Sequence, residues 1–300
     1  MRALVTGATG FVGPHLIAHL QECGDDIATP GAVREGFDLT DRAVVFRALD
    51  AQRPEVVYHL AAWSDVAASW RDPTECLRVN VEGTANILDA ARACGVRRVM
   101  VVGSSEEYGK IDHAGPRLRE DSPLQPMTPY GASKVAASFV ALQAWLGGGL
   151  ETVRVRAFSH TGAGQSDRFV VPALARRIVE AEREHGKTIT IGAREPVRDL
   201  SDVRDVVRAY RLLIEHGEPG EVYNVCRGAG VSIGEIADRL VARAGGRLST
   251  VVDESLLRPV EVPRLVGDPT KLIATTGWSP GYNLDETLDA VLAHARAQGS

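Results

Sequence analysis

The sequence predicts a doubly wound α/β fold with a smaller lobe interleaved towards its carboxyl end. Three observations carry this: short apolar runs without strict alternation, longer segments of helical period between them, and a looser rhythm after about residue 160. The runs RALVT, PEVVYHL, RVMVVG and ETVRVRAF are rich in valine and similar residues, the pattern of strands buried on both faces of a parallel sheet. Between them Leu77, Val81, Thr84, Leu88 and Ala91 repeat at spacings of four and three, as do Val135, Phe139, Leu142 and Leu146. That period predicts two core-facing helices, and strand, helix, strand repeated in this way gives a Rossmann-type sheet with right-handed crossovers.

Further along, FVVPALARRIVEAERE reads as a helix, TITIG as a short strand, SDVRDVVRAYRLLIEHG as another helix and EVYNV as one more buried strand. The expected division is a sheet domain of residues 1–160 and 198–226, with 161–197 and 227–300 forming a lobe that closes over the sheet's carboxyl edge. No internal repeat or low-complexity linker interrupts the chain.

Composition narrows the function. Three hundred residues, 44% hydrophobic and 24% charged, are enough to bury a substantial core and exclude a disordered chain. With 34 basic against 39 acidic residues the net charge is −5, so neither nucleic acid nor an anionic membrane is a general partner. Cys23, Cys76, Cys94 and Cys226 form no CxxC pair, so the sequence suggests no metal site and no disulfide framework. MRALVTG already reads as a strand and no apolar run approaches the length of a membrane span, so a cytoplasmic protein is expected.

The first strand runs into GATGFVG, which sets Gly7, Gly10 and Gly13 three apart before a helix with Pro14 in its first turn. Glycine allows a tight bend and close approach of backbone to a pyrophosphate, and the helix amino terminus offers unpaired N–H groups. At the chain start and after a strand, the loop points to a dinucleotide. The second strand, around DDIATP, lacks the terminal acid that would bond the adenosine ribose of NAD, and Arg34 follows where it can meet a 2′-phosphate. NADP(H) is favoured on that ground, with NAD(H) the alternative.

RVMVVG ends in SSEEYG, so Ser104, Ser105 and Glu106 emerge at the sheet's carboxyl edge, where open α/β folds bind ligands. The helix carrying YGASK follows the loop LQPMTP and sets Tyr130 and Lys134 on one face, one turn apart. A free phenol has a pKa of about 10, and a neighbouring ammonium favours the phenolate, so Lys134 is expected to bring Tyr130 nearer working pH. Lys134 is also placed to bond the nicotinamide ribose, and Ser104 to hold the substrate oxygen.

Together GATGFVG, HLAA, the strand-end serines and YGASK resemble the extended short-chain dehydrogenase/reductase family, over essentially the whole chain. The resemblance implies that Thr9, Gly10, Phe11 and Val12 line the pyrophosphate, Asp38 and Leu39 the adenine, and Ala61 and Ala62 the nicotinamide, with Phe158 near its carboxamide. It also implies a nucleotide-sugar substrate, with Arg198 and Arg258 clasping the diphosphate. RPVEVPRLVGDPTKLIATTGWSP resembles the segment that GDP-mannose 4,6-dehydratases and GDP-6-deoxy-4-keto-mannose reductases use around the nucleotide, where Glu261 would accept from a ribose. VGSSEEYG, VRDLSDVRDVV and GEVYNVCRG are most similar to reductase segments. Glu106 keeps a dehydratase or epimerase open, whereas Glu107 places an acid where dehydratases usually carry an apolar residue. Ser159 stands where the family usually has asparagine, and His160 reads as a pocket-wall or packing residue. Homodimerisation through the helices of residues 72–94 and 129–147 is likewise implied by the family. A regulator that binds the dinucleotide without chemistry is a further alternative, disfavoured because Tyr130 and Lys134 are both present.

Overall fold

The computed structural model describes residues 1–30, 36–111, 115–245, 247–256 and 262–299. Five strands, β1 (Arg2–Thr6), β2 (Asp26–Ala28), β3 (Val56–His59), β4 (Arg98–Ser104) and β5 (Glu151–Ala157), join the later strand Val222–Val225 in one sheet. The spatial order is Val222–Val225, β5, β4, β3, β1, β2, with every neighbouring pair parallel. The order reverses between β1 and β3, so a crevice opens there at the strands' carboxyl ends.

Alternate residues of each strand feed opposite faces. Val5, Tyr58, Met100 and Val155 pack with Leu16, Leu20, Tyr210 and Leu213 on one side; Leu4, Val57 and Val99 pack with Leu49, Ile87 and Ala141 on the other. Each such aliphatic side chain contributes about 1.5–3 kcal/mol through burial. The arginines of β4 and β5 are buried too. Arg98 donates to the carbonyls of Ile214 and Gly217 at 2.9 and 3.0 Å, and Arg154 to that of Gly220 at 2.8 Å, so the crossovers are tied to the sheet by charge-assisted bonds.

The smaller lobe has its own core, built from Val171, Leu174, Ile178, Ile189, Ile236, Leu240, Leu288 and Leu292. Its helices are Val170–Arg183, Ile233–Arg243 and Leu284–Gln298. A second set of short strands, Gly230–Ser232, Val197–Asp199 and Arg264–Leu265, forms a three-stranded sheet.

Two expectations need correction. Residues 227–300 do not all lie in the lobe: Leu272 and Trp278 return to the core of the main sheet, where the Trp278 indole donates to Asp205 O at 3.0 Å. The apolar stripe of helix Pro129–Gly148 does not face the core either. Phe139 is 54% and Leu146 74% exposed, while Ala137 and Ala141 are buried. Small residues let the helix lie close on the sheet, and the large ones are left outside. Among the described residues no helix is long and apolar enough to cross a membrane, and no cluster of three or more metal-ligating side chains occurs.

Candidate active site

β1 ends at Thr6, and the chain bends through Gly7 at φ +72° into helix α1 (Val12–Glu22). A Cβ on Gly7 would sit 2.8 Å from Ala61 N, and one on Gly13 2.5 Å from the carbonyls of Gly7 and Ala8. Both glycines are therefore required by close approach. Helix Pro129–Gly148 is capped by Thr128, Ile233–Arg243 by Ser232 and Leu284–Gln298 by Asn283, whereas α1 has no side-chain cap. Thr9 and Gly10 are exposed beside those N–H groups, and Phe11 and Val12 are half-buried. Bare amides on a glycine bend fit a pyrophosphate.

The opposite wall of the crevice is fixed from below. Thr84 Oγ1 donates to Asn80 O at 2.6 Å, so it accepts from His59 Nε2–H at 3.1 Å; His59 Nδ1 then accepts from Thr6 Oγ1 at 2.9 Å. Thr6 Oγ1 in turn accepts from Ala61 N at 3.2 Å, which holds Ala61 against Gly7. Burial pushes His59 down to about 3, so the imidazole stays neutral and this chain of bonds has one polarity.

Helix Pro129–Gly148 begins on the Thr128 cap, with Gly131 N donating to Thr128 Oγ1 at 2.9 Å. Tyr130 N donates to Ser69 Oγ at 3.2 Å, and Ser133 Oγ to Tyr130 O at 2.7 Å. Ser133 Oγ also accepts from Asn80 Nδ2 at 2.8 Å, and Asn80 Oδ1 accepts from Trp63 N at 2.7 Å. Asn80 occupies a single π-helical turn, Arg78–Glu82, that aims its amide at the Tyr130 helix. Gly131 is needed because a Cβ there would lie 2.7 Å from Glu106 O. The first turn of the helix can thus rest on the 3₁₀ turn Ser105–Glu107 that follows β4.

Ser104, Tyr130 and Lys134 converge at this junction. Lys134 Nζ donates to Val102 O at 2.9 Å and lies 5.9 Å from the centre of the Tyr130 ring. Burial is the largest influence on the phenol and raises its pKa; the Ser104 hydroxyl beside it pulls down, and Glu106 and Glu107 push up. Burial also pushes Lys134 down to about 8, against the pull of Glu107 and Cys76. The expected acidification of Tyr130 is therefore corrected: Lys134 is not among the main influences on the phenol, and burial raises its pKa.

Other predicted residues fall in different places. Ser105 is buried within the 3₁₀ turn and Glu106 half-buried in it. Phe158 is 2% exposed and packs with Tyr108, Cys226 and Leu265, so only its main chain is left to face a nicotinamide. Asp38 is exposed and closes a turn onto Thr40 N and Oγ1 at 2.9 Å, while the Leu39 side chain belongs to the core. Ser159 is half-buried and its carbonyl accepts from Ser201 N at 2.9 Å, at the seam with the lobe. His160 stacks on Phe11 with centroids 6.0 Å apart and bonds Phe158 O through Nδ1, a packing role. Arg198 lies in the lobe's small sheet and donates to Val262 O at 2.7 Å. Arg34, Arg258 and Glu261 lie outside the described residues.

A family model described as GDP-mannose 4,6 dehydratase matches residues 4–291. The chain belongs to that family. It is 35% identical to the GDP-6-deoxy-D-mannose reductase of Pseudomonas aeruginosa, over 97% of this chain and 96% of the relative. It is 29% identical to the GDP-6-deoxy-D-talose 4-dehydrogenase of Aggregatibacter actinomycetemcomitans, over 92% of each. Among solved structures, RMD from Pseudomonas aeruginosa complexed with NADPH superposes with a TM-score of 0.91 at 32% identity, covering 99% of this chain and 100% of that one. The Thermus thermophilus UDP-glucose 4-epimerase complex with NAD gives 0.88 at 30% identity, covering 99% of both. The family is that of the extended short-chain dehydrogenases/reductases.

Sequence reasoning passed over His59, Asn80, Thr84 and Ser133, the residues that orient the family's motifs here. One signal was present: Asn80 and Thr84 are polar residues four apart on the same side as the apolar stripe of Leu77, Val81, Leu88 and Ala91, and buried polar residues need partners.

Proposed function

We propose that the chain is an NAD(P)H-dependent reductase of the 4-keto group of a GDP-4-keto-6-deoxyhexose, giving a GDP-6-deoxyhexose of the rhamnose type. The observation that carries this is the Tyr130 phenol beside the Ser104 hydroxyl, with Lys134 one turn on, at a crevice whose other lip is the glycine loop. The 35% identity to a GDP-6-deoxy-D-mannose reductase and the NADPH-bound neighbour support both the reaction and NADP(H), with NAD(H) the alternative.

In this reading Gly7, Thr9, Gly10, Phe11, Val12 and Gly13 hold the pyrophosphate through main-chain N–H groups. Ala61, Ala62 and the main chain of Phe158 flank the nicotinamide, and the main chain at Asp38 and Leu39 flanks the adenine, with Arg34 beside the 2′-phosphate. A reduced nicotinamide bound there supplies the hydride. Ser104, with Ser105 behind it, hydrogen-bonds the ketone oxygen, and Tyr130 O–H gives that oxygen its proton. The phenolate left behind is stabilised by the Lys134 ammonium. Ser159 touches the sugar, and Arg198 with Arg258 holds the diphosphate while Glu261 accepts from the ribose.

Purified protein mixed with NADPH and GDP-4-keto-6-deoxymannose is expected to lose reduced-nicotinamide absorbance in equal amount to the sugar added. No net oxidation would refute the reductase. Glu106, half-buried next to Ser104, favours a second reading as a 4,6-dehydratase or 4-epimerase. That enzyme would convert GDP-mannose with no net change in added cofactor. The outward apolar stripe of Phe139 and Leu146 supports a homodimer through the helices of residues 72–94 and 129–147. Sedimentation at twice the chain mass is the expected result, reduced to one chain mass by Leu146→Glu.

A further inference from the structure

Beneath Ser104 lies a buried polar chain that the proposed reaction does not use. Glu107 is 0% and Arg156 4% exposed. The Glu107 carboxylate accepts from Ser104 N at 3.0 Å through Oε1 and from Arg156 Nε at 2.9 Å through Oε2. Arg156 Nη1 donates onward to Tyr108 Oη at 3.0 Å and to Glu120 O at 2.9 Å. Tyr108 Oη donates to Asn224 Oδ1 at 2.6 Å, and Asn224 Nδ2 to Leu118 O at 2.8 Å. Leu118 is bridged to Gly267, so the chain of bonds runs from the sheet edge to the lobe.

The neighbouring sequence makes room for this carboxylate. A Cβ on Gly103 would fall against Glu107 Oε1 and lie 2.7 Å from Val155 O, so no larger residue fits before Ser104. Two bonds fix the Ser104 turn as a capping box: Glu107 takes the Ser104 N–H, and Ser104 Oγ accepts from Glu106 N at 3.2 Å. A carboxylate wholly out of water is stable only when paired and hydrogen-bonded, and both conditions are met.

We propose that Glu107 is a positioning residue: by holding the Ser104 N–H against Arg156 it sets where the Ser104 hydroxyl points, and so the alignment of ketone oxygen and Tyr130. The proposal rests on the reductase reading for its kinetic consequence but not for its structural one.

Removing one member of the pair would leave a buried charge unpaired and risk unfolding, so the test compares two double variants of the full chain. Glu107→Leu with Arg156→Leu removes both charges and the acceptor. Glu107→Gln with Arg156→Leu removes both charges and keeps an acceptor for Ser104 N–H. With NADPH and GDP-4-keto-6-deoxymannose, the first is expected to lose about 10²-fold in kcat with KM and NADPH affinity within about threefold, as for a misplaced reacting group. The second is expected to recover at least about tenfold of that loss. Hydrogen exchange at the Ser104 amide should speed up in the first variant and stay slow in the second, with Val101 protected in both. Equal kcat and equal Ser104 exchange in the two variants would reduce Glu107 to a packing ion pair and overturn the proposal. Should the parent oxidise no NADPH, the reductase reading fails, and the Ser104 exchange rates still decide the role of Glu107.

Discussion

The sheet edge beside Tyr130 and the lobe face that carries Arg198 differ in the bonds that hold them. At the edge, side chains hold one another as well as main chain: Asn80 holds Ser133, His59 holds Thr6 and Thr84, and Glu107 holds both Arg156 and the Ser104 N–H. On the lobe face, Asp199 and Arg198 hold main chain. Asp199 takes the N–H groups of Arg227, Gly228 and Gly267 at 2.9, 2.9 and 3.3 Å, and Arg198 gives to Val262 O. The first kind of bond fixes a reacting atom, while the second kind fixes the path of a loop. Damage at the edge should therefore appear in kcat, and damage on the lobe face in KM.

The largest expected effect comes from Tyr130→Phe, which removes the proton donor together with its bond to the Ser104 hydroxyl. A fall in kcat of about 10²-fold or more with NADPH affinity unchanged is expected in steady-state and fluorescence titrations. Loss of NADPH binding instead would make Tyr130 part of the cradle and blur the comparison.

Next comes Arg198→Lys, where one ammonium replaces a planar fork that reaches main chain. KM for the GDP-sugar should rise about tenfold with kcat within about threefold. A fall in kcat with unchanged KM would mean that the lobe also aligns the reacting atoms.

A smaller, pH-dependent effect is expected at Lys134, pushed down to about 8 by burial. Its ammonium is lost as pH rises through about 8, so NADPH affinity should weaken several-fold above that pH, and Lys134→Met should flatten the profile. Stability moves the other way. A lysine whose folded pKa lies below the ordinary 10.5 binds fewer protons folded than unfolded between about 8 and 10.5. The fold should therefore gain stability from this group as pH rises across that window and lose it on return, a difference readable in urea titrations of parent and Lys134→Met.

Ser159→Asn is the mildest change, since it lengthens one half-buried side chain at the seam of the two regions. It should alter KM by no more than about threefold and shift preference among nucleotide sugars, which competition between GDP- and UDP-linked substrates would measure.

What could be read in the sequence follows the same division. GATGFVG, SSEEYG and YGASK were legible because each is a local arrangement: a bend, a strand end, and two side chains one helical turn apart. Helices Val170–Arg183 and Val203–His216 lie where periodicity put them, because amphipathic period is also local. The return of Leu272 and Trp278 to the first core was not legible, since it depends on contacts with Val203–His216, far away in sequence. The outward stripe of Phe139 and Leu146 was misread because periodicity shows that an apolar face exists but not what covers it. The Tyr130 pKa was misread for a related reason: pairing with Lys134 is visible as spacing, whereas desolvation is a property of the packed fold.

The most direct test of hydride delivery to carbon 4 uses NADPH deuterated at the transferable C4 position, with the sugar product read by mass spectrometry and proton NMR. One deuterium at carbon 4 of a GDP-6-deoxyhexose is the predicted result. Turnover of GDP-mannose to a 4-keto-6-deoxy sugar with no deuterium gained from the added cofactor would contradict it.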